Sequence, residues 1–343
     1  MGSRCFRIGG TSLASAANPL VSVIIPAWNE ASVLPECLES VFASSYRNLD
    51  VIVVDNGSTD GTSELLAQRF PQVRVLRNPE NIGFGGALNQ GTAAAKGEIL
   101  LWLNADASLE PHWMESMLRS FVQQPRLGMT TSVVTYRDVP NLIWSAGGCI
   151  DGLTGLTWDN GKGEDLSTLS LPSDPDYVAA CALLVRREAF EEAGGLDPGY
   201  FIYFEDADLG LRLKAAGYDA TVAGEIPIHH GALRRTGLRG VAGKKLFIFA
   251  RSNLRFILKN WPLSRMPVAL LSWLTFYLAV AIAKGPSSYL PSVARAVAWN
   301  LRHLEDTKAA RRRNSPLRLP RARMKDLYRF LVKMAHHPEL FPY

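Results

Sequence analysis

Cysteine is scarce in this chain, with Cys5, Cys37, Cys149 and Cys181 scattered and no pair in CxxC spacing. That argues against a zinc site and a disulfide framework, and a reducing cytoplasm fits best. The N-terminus is mostly small and polar, with Arg4 and Arg7, and lacks the continuous apolar core of a secretory signal. Residues 1–19 therefore read as a disordered leader. No Gly-x-Gly-x-x-Gly follows the first apolar run, where Pro26-Ala27-Trp28-Asn29-Glu30 stands instead, so a Rossmann-type dehydrogenase is set aside. Internal repeats are absent as well. One stretch has no acid at all: Lys308, Arg311, Arg312, Arg313, Arg318, Arg321, Arg323 and Lys325 follow one another unopposed, in a chain of net charge +5. The rest is acidic overall, and such a tail suits either a polyanionic surface or plain solvation.

What is present is enough material for one large folded unit and an appendage, since 47% of 343 residues are apolar. From residue 21 short β-branched runs alternate with helical stretches, the pattern of a sheet wound with helices. Residues 21–25, 50–54, 73–77 and 99–103 read as strands, and 31–44, 63–69 and 85–95 as helices. Polar loops then fall at the strands' carboxyl ends, where open α/β sheets bind ligands. Residues 136–176, rich in Gly, Asp and Trp without clear periodicity, read as a loop-rich insertion that shapes the second half of a cleft. Strand and helix resume over 179–193, and 208–217 has helical spacing. A composition shift near residue 240 divides a catalytic domain at 20–240 from a helical, basic extension at 241–343.

Asp55 closes the second strand ahead of Asn56-Gly57-Ser58-Thr59-Asp60. Its carboxylate either accepts the ring N3–H of a uracil or thymine or, with Asp60, caps the turn and the next helix. Asn104-Ala105-Asp106 ends the fourth strand, and a carboxylate there suits a hard cation, Mg2+ or Mn2+, that shares diphosphate oxygens. Glu205, Asp206 and Asp208 crowd three carboxylates into four positions between aromatic and aliphatic neighbours. Such surroundings raise a carboxyl pKa and suit a base. Asp208 reads as a helix-starting acid, with Arg212 its i,i+4 partner. His229-His230 offers an imidazole to an Asp106 metal, and Arg234, Arg235 and Arg239 among glycines suit a loop folding over a diphosphate.

Together these stretches resemble family 2 glycosyltransferases of GT-A fold, in particular the bacterial rhamnosyltransferase-like branch. The matching segments are Val-Ser-Val-Ile-Ile-Pro-Ala-Trp-Asn-Glu at 21–30, Val-Val-Asp-Asn-Gly-Ser-Thr-Asp-Gly-Thr at 53–62, Asn-Ile-Gly-Phe-Gly-Gly at 81–86 and Leu-Asn-Ala-Asp at 103–106. A fifth, Gly-Gly-Leu-Asp-Pro-Gly-Tyr-Phe-Ile-Tyr-Phe-Glu-Asp-Ala-Asp-Leu-Gly-Leu-Arg, occupies 194–212. The resemblance implies an α/β fold, a GT-A-type Rossmann-like mixed sheet flanked by helices. It also implies that Pro26, Trp28 and Glu30 line the base and ribose pocket, that Asp55 reads the pyrimidine, and that Asn104 and Glu205 border the nucleotide sugar. Asp106 would be the metal-binding acid, with His229 as the chosen histidine and His230 as the alternative. Asn104 stands where many relatives carry a first Asp. Asp206 would be the catalytic base of a metal-dependent, inverting transferase, taking the acceptor proton in a single displacement. The donor expected is dTDP-rhamnose or a UDP-sugar, and the acceptor a glycan or lipid-linked hydroxyl in cell-surface polysaccharide synthesis. A non-catalytic polyanion-binding protein on the same scaffold is the alternative, which the clustered acids do not favour.

Met266 to Ala283 gives 18 uncharged residues between Arg265 and Lys284, at the lower edge of what crosses ~30 Å of hydrocarbon. Pro267, Ser272 and Thr275 favour instead a helix in the membrane plane or packed on the catalytic domain. The expectation is a membrane-associating C-terminal extension that holds a cytoplasmic enzyme on the inner face of the cell membrane. Anionic lipid is then a partner, and nucleic acid is not.

Overall fold

The computed structural model describes residues 18–231, 243–313, 317 and 319–337. Most of the expected leader, the loop arginines Arg234, Arg235 and Arg239, and Arg318 lie outside the described residues. In chain order the fold begins with β1 (Val21–Ala27), α1 (Leu34–Ala43), β2 (Leu49–Asp55), α2 (Thr62–Arg69), β3 (Arg74–Arg77), α3 (Phe84–Ala94), β4 (Ile99–Leu103) and β5 (Ala107–Ser108). It continues through α4 (Trp113–Gln123), β6 (Leu127–Tyr136), β7 (Val139–Ser145), β8 (Gly148–Ile150), β9 (Thr157–Asp159), β10 (Ala182–Arg186), α5 (Arg187–Glu192), α6 (Glu205–Ala216) and β11 (Asp219–His230). The helices α7 (Lys244–Asn260), α8 (Met266–Lys284), α9 (Pro286–Arg302), α10 (Leu304–Arg313) and α11 (Met324–His336) follow.

The main sheet runs β3-β2-β1-β4-β10-β6-β11-β5, with β7 added on β6. Strands β1 to β4 are mutually parallel, β10 runs against β4 and β6, and β11 is parallel to β6. The carboxyl ends of β1, β2, β4, β6 and β11 therefore meet the start of β10 along one edge. Both faces are covered, as the continuous apolar runs of β1, β2 and β4 require. Alternate side chains serve opposite layers. Ile24, Ile52, Val54, Leu100 and Trp102 share a core with α3, α5, α6 and α7, whereas Val23, Ile25, Val53, Leu101 and Leu103 share one with α1 and α4.

The insertion at 136–176 is more regular than its composition implies, because it holds β7, β8, β9 and a 3-10 turn at Leu166–Thr168. Its strands are short, and β7 pairs with register shifts, so no period-two signal survives in the sequence. Trp158 of β9 packs on Phe330 of α11, ring centroids 6.0 Å apart. The expected boundary near residue 240 falls outside the described residues, and α7 beyond it lies within the main core through Leu254, Phe256 and Ile257. Helix α8 is long and apolar enough to cross a membrane by length and composition. One side of it packs Ala269, Trp273, Tyr277 and Ala281 inward, with Trp273 Nε1 donating to Ala250 O at 3.0 Å. The other side leaves Leu271, Leu274 and Ile282 exposed.

Candidate active site

Two loops at the sheet edge are stitched together. After β1 the chain turns at Asn29, held left-handed at φ 57°, and Asn29 N donates to Ser58 Oγ at 2.9 Å while Asn29 Oδ1 accepts from Thr59 N at 2.8 Å. Ala31 N donates to Asp60 Oδ2 at 3.0 Å, which ties the start of α1 to the turn after β2. Gly57 sits there at φ 79°, with backbone of Glu80 only 2.9 Å from where a Cβ would lie, so only glycine fits. Asp55 is wholly buried, accepting from Ser58 N at 2.9 Å and from the Ser63 hydroxyl. Its turn-shaping role is thus realised in the geometry. Pro26 and Glu30 are half-buried on this rim, and Trp28 is exposed.

The second corner forms where β4 ends. β11 pairs with β5 so that His230 lies opposite Ala107 and His229 opposite Ser108. Successive residues on a strand point to opposite faces, and here that decides which imidazole meets Asp106. His230 Nε2 lies 3.3 Å from Asp106 Oδ1 and 2.9 Å from Asn104 Nδ2. His229 turns the other way, with Nδ1 2.9 Å from Thr135 Oγ1 and Nε2 3.9 Å from Glu110. The expected pairing of His229 with Asp106 is therefore not the one brought together; its neighbour takes the place. Burial by itself would raise the Asp106 carboxyl, but His230 and Arg137 outweigh it and hold the carboxyl below its ordinary value. Asn104 Oδ1 is buried without a hydrogen-bond partner. The orphaned oxygen and the carboxylate are the hard oxygen donors that Mg2+ or Mn2+ prefers, with the His230 imidazole as a softer donor beside them.

The third corner is the start of α6. Tyr203 and Phe204 both adopt left-handed backbone, at φ 71° and 74°, which is costly for aromatic residues and persists only under tight packing. The packing comes from α7. The Phe249 ring stacks on Tyr203 at 3.9 Å, Phe256 lies 5.5 Å from Phe204, and Ser252 Oγ donates to Ile202 O at 3.2 Å. Below the turn, Lys259 Nζ reaches Asp208 at 2.8 Å and Asp197 at 3.0 Å, with Arg212 on Asp208 and Arg255 on Asp197, each at 2.9 Å. Burial would raise Asp208, yet Lys259 and Arg212 hold it far down. The expected Asp208–Arg212 pair is present, inside a buried network rather than on a solvated helix end.

Asp206 points away from those cations. Its Oδ2 accepts from Ala180 N at 3.3 Å and its Oδ1 from Ala207 N at 2.8 Å. Burial, with repulsion from Asp159 opposing those two N–H groups, pushes its carboxyl up to about 6. Glu205 is buried against α3, with Oε2 unpartnered, and burial and Asp206 keep its pKa well above the ordinary range. Neighbouring residues join the corners: Cys181 O accepts from Asn104 N at 2.8 Å, while Ala180 N binds Asp206.

The insertion supplies residues that sequence reasoning did not single out. Asp159 accepts from Ser145 Oγ at 3.0 Å and pairs with Lys162 at 3.7 Å. The Lys162 ammonium lies 4.7 Å from the Trp144 ring, and that ring meets His230 edge-on at 5.0 Å. The Trp and Asp content of 136–176 was the available signal, without a way to rank its members.

A mixed sheet flanked by helices, with two stitched loops and an acid pair on its edge, is a GT-A-type fold. The Glycosyl transferase family 2 profile matches residues 22–194, just over half of the chain, and the chain belongs to that family. It is accordingly a glycosyltransferase that uses a nucleotide-sugar donor. Among curated relatives, the N-acetylglucosaminyl-diphospho-decaprenol L-rhamnosyltransferase of Mycobacterium tuberculosis is 29% identical over 245 residues, covering 64% of this chain and 78% of the relative. Glycosyltransferase AglE of Haloferax volcanii is 27% identical over 285 residues, covering 79% and 84%. Mannosyltransferase PcManGT from Pyrobaculum calidifontis, solved with GDP-Man and Mn2+, superposes with a TM-score of 0.52 at 21% identity over 86% of this chain and 83% of its own. GalNAc-T7, solved with UDP, GalNAc and Mn2+, gives 0.56 at 19% identity over 72% and 49%. These two support the fold.

Proposed function

We propose that the protein transfers a sugar, with inversion, from dTDP-rhamnose or a UDP-sugar to a hydroxyl of a glycan or lipid-linked acceptor in cell-surface polysaccharide synthesis. The observation that carries this reading is the joining of the Asp206 and Asp106 corners through Ala180 and Cys181. Asp206 takes the proton of the acceptor hydroxyl as its oxygen attacks the anomeric carbon and the bond to the donor's phosphate breaks. A carboxyl near 6 is ionised at neutral pH yet basic enough to assist. The nucleoside lies on the rim made by Pro26, Trp28 and Glu30, over the turn that Asp55 shapes. Direct contact of Asp55 with a base N–H requires the Ser63 hydroxyl to give way. Asp106, His230 and the Asn104 oxygen would hold Mg2+ or Mn2+, which when bound supplies charge to a diphosphate. The mycobacterial relative's name specifies a diphospho-decaprenol acceptor and a rhamnosyl donor group, in keeping with this choice.

Attachment to the inner face of the membrane belongs to the same proposal, through the exposed side of α8 and the tail cations. Not all eight cations are available for it. Arg311 donates to Leu258 O at 3.0 Å and Trp261 O at 2.6 Å, and Arg323 pairs with Asp176 at 3.4 Å. A transfer screen over nucleotide sugars with Mn2+, with the anomeric configuration of product read by NMR, tests the assignment. A retained configuration, or no turnover of any nucleotide sugar, refutes it.

A further inference from the structure

Three lysines, Lys162, Lys245 and Lys284, have no part in the reading above. Lys245 occupies the first turn of α7 and Lys284 the last position of α8. The two helices pack on each other across the connection at 261–265, with Trp273 Nε1 of the second on Ala250 O of the first, so that the second runs back toward the Lys245 end. Lys245 Nζ lies 5.9 Å from the Phe249 ring, and Phe249 stacks on Tyr203 just ahead of Glu205. Lys162 approaches from the insertion. Burial, then repulsion from Lys162 and Lys284, pushes the Lys245 ammonium down to about 8. Lys162 has Asp159 as its counter-charge. No ion pair joins Lys245 or Lys284 to a carboxylate among the described residues. Lys245 is half-buried and Lys284 exposed, so Lys245 is the cation withdrawn from water without a carboxylate beside it, and an anion seated against it compensates that charge.

From Lys284 an apolar stripe leads outward along α8. Leu271, Leu274, Leu278 and Ile282 recur at helical spacing, with Leu278 half-buried and the others exposed, and no charge interrupts residues 266–283. A soluble anion has no use for such a surface, and a neutral lipid has none for the lysines. We propose that Lys245 and Lys284, backed by Lys162, seat the phosphate group of a lipid-linked acceptor whose hydrocarbon lies along this stripe of α8. The sugar end of that acceptor then points past Lys162 and Asp159 toward Asp206. The proposal rests on the glycosyltransferase reading for its purpose, while its binding test stands apart from turnover.

Calorimetry on the full chain decides it, with farnesyl diphosphate, inorganic diphosphate and farnesol as probes, and UDP with Mn2+ as the donor-side control. Farnesyl diphosphate should bind about tenfold or more tighter than either fragment probe. The Lys245→Gln/Lys284→Gln double variant should lose about tenfold or more of that affinity, since hydrogen bonds to charged groups are at stake, and keep its UDP affinity. Leu274→Ser/Ile282→Ser should weaken farnesyl diphosphate and leave inorganic diphosphate unchanged. Displacement of farnesyl diphosphate by UDP with Mn2+ would hand the lysines to the donor and overturn the proposal. Unchanged affinity in the lysine variant overturns it too, as does equal competition by phosphatidylglycerol vesicles, which would make a phospholipid headgroup the source of the phosphate. Farnesyl diphosphate binding with no turnover of any nucleotide sugar would instead refute the glycosyltransferase reading and spare the site.

Discussion

Replacing Asp206 by Asn should separate catalysis from stability in opposite directions. In the unfolded chain this carboxyl titrates near 3.8, and in the folded protein burial and Asp159 lift it to about 6. The unfolded state therefore sheds its proton first as pH rises, so this group's contribution to stability falls between about pH 4 and pH 6 and stays low above. Two pKa units correspond to about 3 kcal/mol, and partial exposure of the side chain reduces that to roughly 2 kcal/mol. The amide has no such titration, but it loses one of the two acceptors that face Ala180 N and Ala207 N, at a cost of about 1 kcal/mol. Urea denaturation at several pH values should show the variant gaining roughly 2 kcal/mol relative to the native protein between about pH 4 and pH 8. Transfer should fall by about 10² to 10⁴, and nucleotide affinity should hold within a few-fold. A stability difference that does not move with pH would refute the reasoning about the buried carboxyl. Substantial residual transfer would refute the base assignment and move attention to Glu205.

Asp106→Ala should abolish metal-dependent donor binding, His230→Ala should weaken it by less, and His229→Ala should leave it unchanged; calorimetry with and without Mn2+ reads all three. Lys259→Met should cost about 3 kcal/mol in urea denaturation, because it strips a shared cation from two buried carboxylates; a loss below about 1 kcal/mol would mean that Arg212 and Arg255 suffice. Neutralising Lys308, Arg312, Arg313 and Arg321, which are exposed, should weaken binding to anionic vesicles by about 1 kcal/mol per charge. Neutralising Arg311 and Arg323 should lower the melting temperature instead, and vesicle binding indifferent to the first set refutes electrostatic attachment.

The strands β1, β2 and β4 were legible because a strand buried on both faces must be apolar at every position, and few other arrangements tolerate such a run. The polar residues that end the apolar runs of β2 and β4 then marked the ligand edge, which is how Asp55 and the Asn104-Ala105-Asp106 segment could be found. The choice between His229 and His230 was not legible. It depends on parity along β11, and that strand shifts register on β6 between Ala223 and Ile228, so counting residues from either end cannot settle the face. Asp159, Lys162 and Trp144 were hidden for a related reason, since short strands with irregular pairing carry no period. The polar set on α7 left a trace: Arg251, Arg255 and Lys259 recur at every fourth residue, a spacing that puts cations on one face of a helix that is otherwise buried.

The cations of α7 make the C-terminal helices less separable than their composition suggests. A polypeptide ending with β11 would keep Asp197 and Asp208 inside an apolar interior, with Arg212 as the counter-charge left to Asp208 and none of the α7 partners left to Asp197. It would also release the ring packing that holds Tyr203 and Phe204 in left-handed backbone immediately before the acid pair. Shuffling of a different C-terminal segment onto this sheet could therefore succeed only if the newcomer delivered two positive charges one helical turn apart at the same depth. The seam along which such hybrids would have to be joined runs directly beneath the acid helix, so exchanging the C-terminal helices and disturbing the acid pair are, in this architecture, the same event.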